Sequence, residues 1–271
     1  MTSIIIKFVK SSRLYRSVLN LFKKFYAKTE VKYSYEDPEV VSLIVKKTSA
    51  FFNKKHEDLP FSERDLRMLA ICNLANLKNR SVVVDFGGGA GHHYKTFKKC
   101  FPNMSIIWIV VETKEMVKQS KNLENKELVF VSSFKQAIKL HHKIDLIYSD
   151  SALQYCSNPI AMLKMFTLAE PNNIFINRTM MSEQYYSSFE QISLMSKNGP
   201  GHLPEATTDF MLKVRVFCET RTRYLQTLSK KYSVIYNEYE STVINPENNQ
   251  SVSTFSIYSK RTDIYTKSQH R

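Results

Sequence analysis

Short apolar runs closed by polar or glycine-rich turns, each followed by residues of helical period, recur through the middle of the chain. Ser81-Val82-Val83-Val84-Asp85-Phe86 is the first, and a run with so little polar alternation reads as a strand buried on both faces of a parallel sheet. His92 to Cys100 then suits a helix. Ser105 to Val111 is the second strand, and Glu127 to Val131 the third; the third ends in Ser132-Ser133 before a short helix, Phe134 to Leu140. Ile144 to Tyr148 is the fourth strand and leads into Ser149-Asp150-Ser151. A helix from Asn158-Pro159 to Met165 follows, with proline pre-set for the first turn. Asn173 to Asn177 is the fifth strand. Alternation of this kind predicts an α/β fold with a doubly wound, mostly parallel sheet that binds ligands at the carboxyl ends of its strands. Tyr232 to Tyr239 and Val252 to Ser259, joined by the polar turn at 244–249, predict a closing antiparallel hairpin. Helical stretches at 39–53 and 62–77 precede the alternation and are expected to cover the sheet edge and the mouth of the ligand site. The expected organisation is therefore a basic helix over 1–30, a helical cap over 31–80, an α/β core over 81–182, a further helical and loop region over 183–230, closing strands over 231–260 and a basic tail over 261–271.

The turn after the first strand carries most of the chemistry. Four of the chain's six glycines, Gly87, Gly88, Gly89 and Gly91, fall within five residues of one another, directly behind Asp85 and Phe86. Backbone without side chains can turn sharply and let a ligand approach closely. The dinucleotide fingerprint needs glycine at its first, third and sixth positions. Counted from Gly87 the sixth position is His92, and counted from Gly89 it is Tyr94, so neither register works. Asp85-x-Gly87-x-Gly89-x-Gly91 instead resembles motif I of the class I S-adenosylmethionine-dependent methyltransferases, a Rossmann-like fold. The resemblance implies S-adenosyl-L-methionine as cofactor, the acid near its methionine ammonium and the glycines passing under it. Glu112 ends the second strand roughly 20 residues on, where nucleoside-binding α/β folds put a carboxylate for the ribose hydroxyls. Ser132, Ser133, Ser149 and Ser151, at the third and fourth strand tips, complete the expected cofactor set.

A narrower resemblance spans roughly residues 33 to 182. Asp85-Phe86-Gly87-Gly88-Gly89-Ala90-Gly91-His92-His93-Tyr94 is similar to the glycine-rich opening of a putative methyltransferase family of surface-polysaccharide biosynthesis gene clusters. That family also shows a tryptophan strand ending in glutamate, matched by Trp108-Ile109-Val110-Val111-Glu112. Further matches are Leu153-Gln154-Tyr155 leading to Pro159, Arg178-Thr179 after the fifth strand, and Tyr35-Glu36-Asp37-Pro38 upstream. The resemblance implies an enzyme that O-methylates a sugar of a surface polysaccharide or of its nucleotide- or lipid-linked precursor. It fades after Ser182, where Gly199-Pro200-Gly201-His202-Leu203-Pro204 replaces the family's aromatic segment.

Charge adds a rival reading. The net charge of +14 suits nucleic acid, yet residues 1–30 hold seven Lys/Arg against one Glu and residues 251–271 four against one. Nine of the fourteen net charges thus lie at the two ends, which argues against a basic catalytic groove for RNA. In the first thirty residues Tyr15, Val18, Leu19, Phe22, Phe25 and Tyr26 share one helical face, with Arg13, Arg16, Lys23 and Lys24 largely away from it. Such a helix either packs on the domain or a partner, or lies on an anionic membrane, where each cation adds about 1 kcal/mol. Cys72, Cys100, Cys156 and Cys218 are widely spaced, which argues against a disulfide framework or a zinc site and for a cytoplasmic protein. No metal is invoked.

An activated methyl group leaves the protein to align a nucleophile and exclude water, and a sugar hydroxyl benefits from a general base. His93 and Asp150 are the expected catalytic residues. His92, Tyr94, Gln154, Tyr155, Arg178 and His202 are expected on the acceptor side, Arg178 for a phosphate because of its planar fork. Two other classes stay open: an RNA or protein methyltransferase, and an inactive cofactor-binding module.

Overall fold

The computed structural model describes residues 31–53, 61–245, 247–248 and 250–263. The amphipathic helix expected over 1–30 and most of the basic tail lie outside them. The elements in chain order are β1 (Val31–Lys32), α1 (Pro38–Asn53), α2 (Glu63–Leu74), β2 (Ser81–Phe86), α3 (His92–Cys100), β3 (Ile106–Val111), α4 (Lys114–Gln119), β4 (Leu128–Val131), α5 (Phe134–Leu140), β5 (Leu146–Asp150), α6 (Pro159–Leu168), β6 (Asn173–Ser182), β7 (Ser187–Leu194), β8 (Met211–Cys218), α7 (Arg221–Leu228), β9 (Tyr232–Ile244) and β10 (Ser251–Arg261).

Seven strands form one sheet in the order β4-β3-β2-β5-β6-β10-β9. β2 to β6 pair in parallel, while β10 inserts antiparallel between β6 and β9. The order reverses at β2, the point where open α/β sheets leave a crevice at the strands' carboxyl ends. Successive residues of β2 serve opposite layers. Val82 and Val84 pack with Ile109, Phe134, Ile160, Leu163, Phe166 and Leu228 under α5, α6 and α7. Val83 joins Trp108, Tyr148 and Phe175 beneath Met68 and Ile71 of α2 and Phe97 of α3. A fully buried side chain of this size contributes about 1.5–3 kcal/mol relative to exposure, so both layers are needed to hold the sheet. Among the described residues no helix is long and apolar enough to cross a membrane.

Two sequence expectations change. α2 covers a face of the sheet rather than its edge. The region 183–230, expected as helix and loop, holds β7 and β8 before α7. With β1 these strands form a second, three-stranded sheet in the order β1-β8-β7. Leu212, Val214, Val216 and Cys218 alternate inward along β8, and Val40, Ile44, Met195, Phe210 and Leu212 pack together, joining α1 to this small sheet. The sheet therefore roofs the crevice from the side opposite α5.

Candidate functional site

A cavity of about 1010 Å³ opens at the carboxyl ends of β2, β3, β5 and β6. Its floor is the glycine turn. Gly87 donates its N–H to the Val111 carbonyl (2.9 Å), which ties the turn to β3. At φ +72° a Cβ on Gly87 would lie 2.2 Å from that of Ala152, so only glycine lets the turn pass the end of β5. Gly88 closes over the Asp85 carboxyl group, where a Cβ would lie 2.4 Å from Cγ.

Asp85 consequently lies beneath the turn and not in the cavity lining. Its Oδ2 accepts from His93 Nδ1 at 2.9 Å and from the Trp108 indole N–H at 3.0 Å, with no exposure of the side chain. Its Oδ1 is buried without a partner among the described residues. The acid expected near a ligand ammonium here supports the turn and His93 from below. Across the ring, His93 Nε2 faces Asp150 Oδ2 at 3.7 Å, an ion-pair distance too long for a hydrogen bond. Burial alone would lower the His93 pKa, but the Asp85 charge, with help from Asp150, outweighs it and pushes the value up to about 10. The ring is therefore an imidazolium near neutral pH, and the reading of His93 as a general base is corrected: it already holds both ring protons. His92, whose ring centroid is 3.9 Å from that of His93, goes the other way. Burial, then the His93 charge, holds it well below the usual histidine value, so it is neutral. Burial raises the Asp150 pKa, but His93, Arg178 and Arg64 more than reverse this and keep it ionised.

Glu112 lines the cavity beside the turn. Its Oε1 accepts from Gly89 N–H (3.0 Å) and its Oε2 from Thr113 N–H (2.9 Å), which fixes the carboxyl plane. Burial raises its pKa, against the lowering effect of these two backbone donors. Each oxygen retains acceptor capacity for a further hydroxyl. Phe86, Gly87, Gly88 and Gly89 also line the cavity, as do Ser132, Ser133, Ser151, His92, His93, Asp150, Gln154, Tyr155 and Arg178. Ser133 doubles as the cap of α5, accepting from Gln136 N–H, and Ser132 is bonded to the Gln136 side chain. The Gln154 side chain is 2 % exposed, and its Oε1 has no partner among the described residues.

Besides Asp85, four expected residues stand outside the cavity lining. Tyr94 points into the core against Trp108, its hydroxyl donating to Glu127 at 2.9 Å. Gly91 starts α3 with its back to Leu128 and Phe130. Ser149 is buried within β5, and His202 is exposed outside the cavity. Helix phase turns Tyr94 inward and strand pleat buries Ser149, while His202 stands in a loop.

The opposite wall joins Tyr155, expected on the acceptor side, to residues to which the sequence assigns no site role. Tyr155 donates to Gln191 of β7 at 2.8 Å, and Tyr35 to Asn198 at 2.9 Å, with the two rings 5.1 Å apart. Lys47 of α1, 1 % exposed, donates to the carbonyls of Met195, Ser196 and Asn198 and so pins the 195–201 turn over the cavity. Burial lowers its pKa, partly offset by Asp209. Arg64, at the start of α2, also lines the cavity. The signal for this wall was the alternation along β8, which marks a strand where loop was expected.

No protein-family model matches the sequence, and no curated protein matches it. Among solved structures, the chain resembles an S-adenosylmethionine-dependent methyltransferase from Clostridium acetobutylicum at 10 % identity, covering 78 % of this chain and 97 % of that one, with a TM-score of 0.48. It also resembles CalS10, an amino pentose methyltransferase from Micromonospora echinaspora, at 12 % identity over 80 % of this chain and 97 % of that one, TM-score 0.46. The cyclase SpnF matches to a similar degree, at 9 % identity over 86 % and 98 %, TM-score 0.48. Likeness at this level assigns no activity.

Proposed function

We propose that the protein is an S-adenosylmethionine-dependent methyltransferase that O-methylates a sugar hydroxyl of a surface polysaccharide or its precursor. The observation that carries this reading is Glu112, set at the β3 tip by Gly89 N–H and still able to accept from a ribose diol. The residues present fit the cofactor. The glycine floor packs on Ala152 and Asp85 as only glycine can, Glu112 suits the ribose, and Phe86, Val111, Met116 and Phe134 offer apolar surface for an adenine. The glycine spacing that fails the dinucleotide register favours a single nucleoside. When bound, S-adenosylmethionine supplies an activated methyl group.

The chain's own residues then have separable tasks. Asp150, ionised at the β5 tip, takes the proton of the acceptor hydroxyl as its oxygen becomes nucleophilic. His93 is a positioning residue: its charge, anchored by Asp85, holds Asp150 in place. Neutral His92 accepts a hydrogen bond at the cavity floor, and Gln154 lines the wall beside the acceptor hydroxyl. Tyr35, Tyr155 and the 195–201 turn shut water out. The resemblance of the glycine turn and the Trp108–Glu112 strand to the polysaccharide-cluster family supports a glycan acceptor, and a cytoplasmic site with peripheral membrane contact through residues 1–30 belongs to the same proposal. Incubation of the protein with methyl-labelled S-adenosylmethionine and native cell-envelope extract tests it. Label is expected in alkali-stable O-methyl sugars. Label appearing solely in RNA or protein, or in no fraction, refutes the assignment.

A further inference from the structure

β6 and β10 fall out of regular register at one point. Ile176 pairs with Ile257 and Thr179 with Phe255, so Asn177 and Arg178 together face only Ser256. The extra residue on β6 is a β-bulge, a device that bends a strand and re-aims a side chain. Arg178 takes it up with φ +50°, a left-handed conformation disfavoured for any residue with a Cβ. Its N–H is held by Ser256 Oγ at 3.1 Å, and its carbonyl lies 3.3 Å from Ser151 Oγ, so the bulge is locked beside Asp150. The side chain turns into the cavity. Nε faces Glu240 at 3.8 Å, but Nη1 is buried with no partner among the described residues. Nη1 is thus packed against protein, and the 30 % of the side chain that stays open is what the cavity meets.

Arg64 lines the same cavity from α2 and, with Arg178, helps keep Asp150 ionised. The first turn of α2 is fixed by the capping box of Ser62 and Asp65, which also accounts for the Asp65 charge. The remaining anions lining the cavity are likewise engaged: Glu112 with backbone donors and Asp150 with His93. Arg64, in contrast, has no ion pair among the described residues. Among the described residues, the unmet charge at this end of the cavity is positive.

Resting on the methyl-transfer reading above, we propose that Arg178 and Arg64 form a phosphoryl-binding subsite beside Asp150, so that the acceptor is a glycoside carrying a phosphate or diphosphate. A guanidinium fork matches two oxygens of such a group, and a phosphoryl has oxygens for both arginines, whereas one fork saturates a carboxylate. The anion would hold the acceptor so that a hydroxyl lies between Asp150 and the glycine turn.

Calorimetric titration of the full chain loaded with S-adenosylhomocysteine tests this, with inorganic pyrophosphate, inorganic phosphate and acetate as probes. Saturable pyrophosphate binding is expected, with phosphate weaker and acetate weaker still. Pyrophosphate affinity should fall about tenfold or more in Arg178→Gln and in Arg64→Gln, and by less in Arg178→Lys, while S-adenosylhomocysteine affinity holds within about twofold. Arg64 is exposed on a capped helix, so its variant carries the test should Arg178→Gln fail to fold. The proposal is overturned if protein that binds S-adenosylhomocysteine shows no saturable pyrophosphate binding, if neither substitution weakens it, or if acetate binds as well as phosphate. Loss of S-adenosylhomocysteine binding by the unaltered protein is a different failure and removes the methyl-transfer reading itself. In the labelling experiment, methyl in a water-soluble phosphorylated fraction or in a lipid-extractable one supports the subsite and tells a nucleotide-linked from a lipid-linked acceptor. Methyl confined to phosphate-free polymer overturns it.

Discussion

The β2–β3 end of the cavity and the β5–β6 end solve the same problem by different means. At the first, backbone dominates: a glycine turn folds over a buried carboxylate, and Glu112 is set by two main-chain N–H donors. At the second, side chains are aimed by irregularity. Ser151 and Arg178 both take positive φ, and a bulge carries Arg178 out of the pleat. A backbone-built site accepts a ligand of fixed shape, whereas a site of re-aimed side chains can change with its acceptor. In the function proposed above, the first end takes the constant donor and the second the specific acceptor.

The largest expected effect lies under the backbone-built end. Asp85→Ala removes the acceptor of both His93 and Trp108 and should cost about 3–5 kcal/mol in chemical denaturation, as breaking a buried ion pair does. The pH dependence has a definite sign. His93 has its pKa raised from 6.5 to about 10 in the folded state. Its contribution is therefore fully present below pH ~6.5 and is lost as pH rises through about 10. Thermal midpoints of the unaltered protein should decline across that window, and Asp85→Ala should flatten the decline. An unchanged slope would mean that His93 is not held as a cation.

Next in size is Gly88→Ala, which drives a methyl group into the Asp85 carboxyl group. It should destabilise by about 1–3 kcal/mol, the usual range for overpacking, and weaken nucleoside binding with it. Equal binding by this variant would show that the turn is not a close-packed floor. Smallest, and confined to the opposite wall, is Lys47→Met. Removing the buried ammonium leaves the carbonyls of the 195–198 turn without their donor, and the relief of its own burial offsets part of that, so stability should fall by about 0.5–1.5 kcal/mol. Acceptor KM should rise about fivefold to tenfold, the scale of one lost hydrogen bond, with donor KM unchanged. A change in donor KM alone would place the turn on the wrong side of the cavity.

The same contrast explains what the sequence could reveal. Strand β2 and helices α3 and α5 start and stop where the apolar runs and turns put them, because they depend on local pattern and burial alone. Glu112 was legible because strand length fixes what stands at its tip. The charge state of His93 was not, since it depends on the turn laying the ring against Asp85 and on Asp150 arriving from a strand about sixty residues away. Tyr94 was misplaced for a related reason: only the packing of α3 against Trp108 decides which helical face meets the core. The bulge at Arg178 arises from the pairing of β6 with β10, and neither strand alone announces it. Strand β8 was different. Its alternation was present in the sequence, and with it came a roof over the cavity that local reading replaced with loop.

The account stands on the grip of Glu112 upon a ribose at the β3 tip. Calorimetric titration of S-adenosylhomocysteine into the unaltered protein and into Glu112→Gln, with a nicotinamide dinucleotide as the control ligand, examines that grip most directly. Micromolar S-adenosylhomocysteine binding, a loss of about tenfold or more in the variant and no response to the dinucleotide are the predicted results. Equal affinity in the two proteins, or preference for the dinucleotide, would contradict the account.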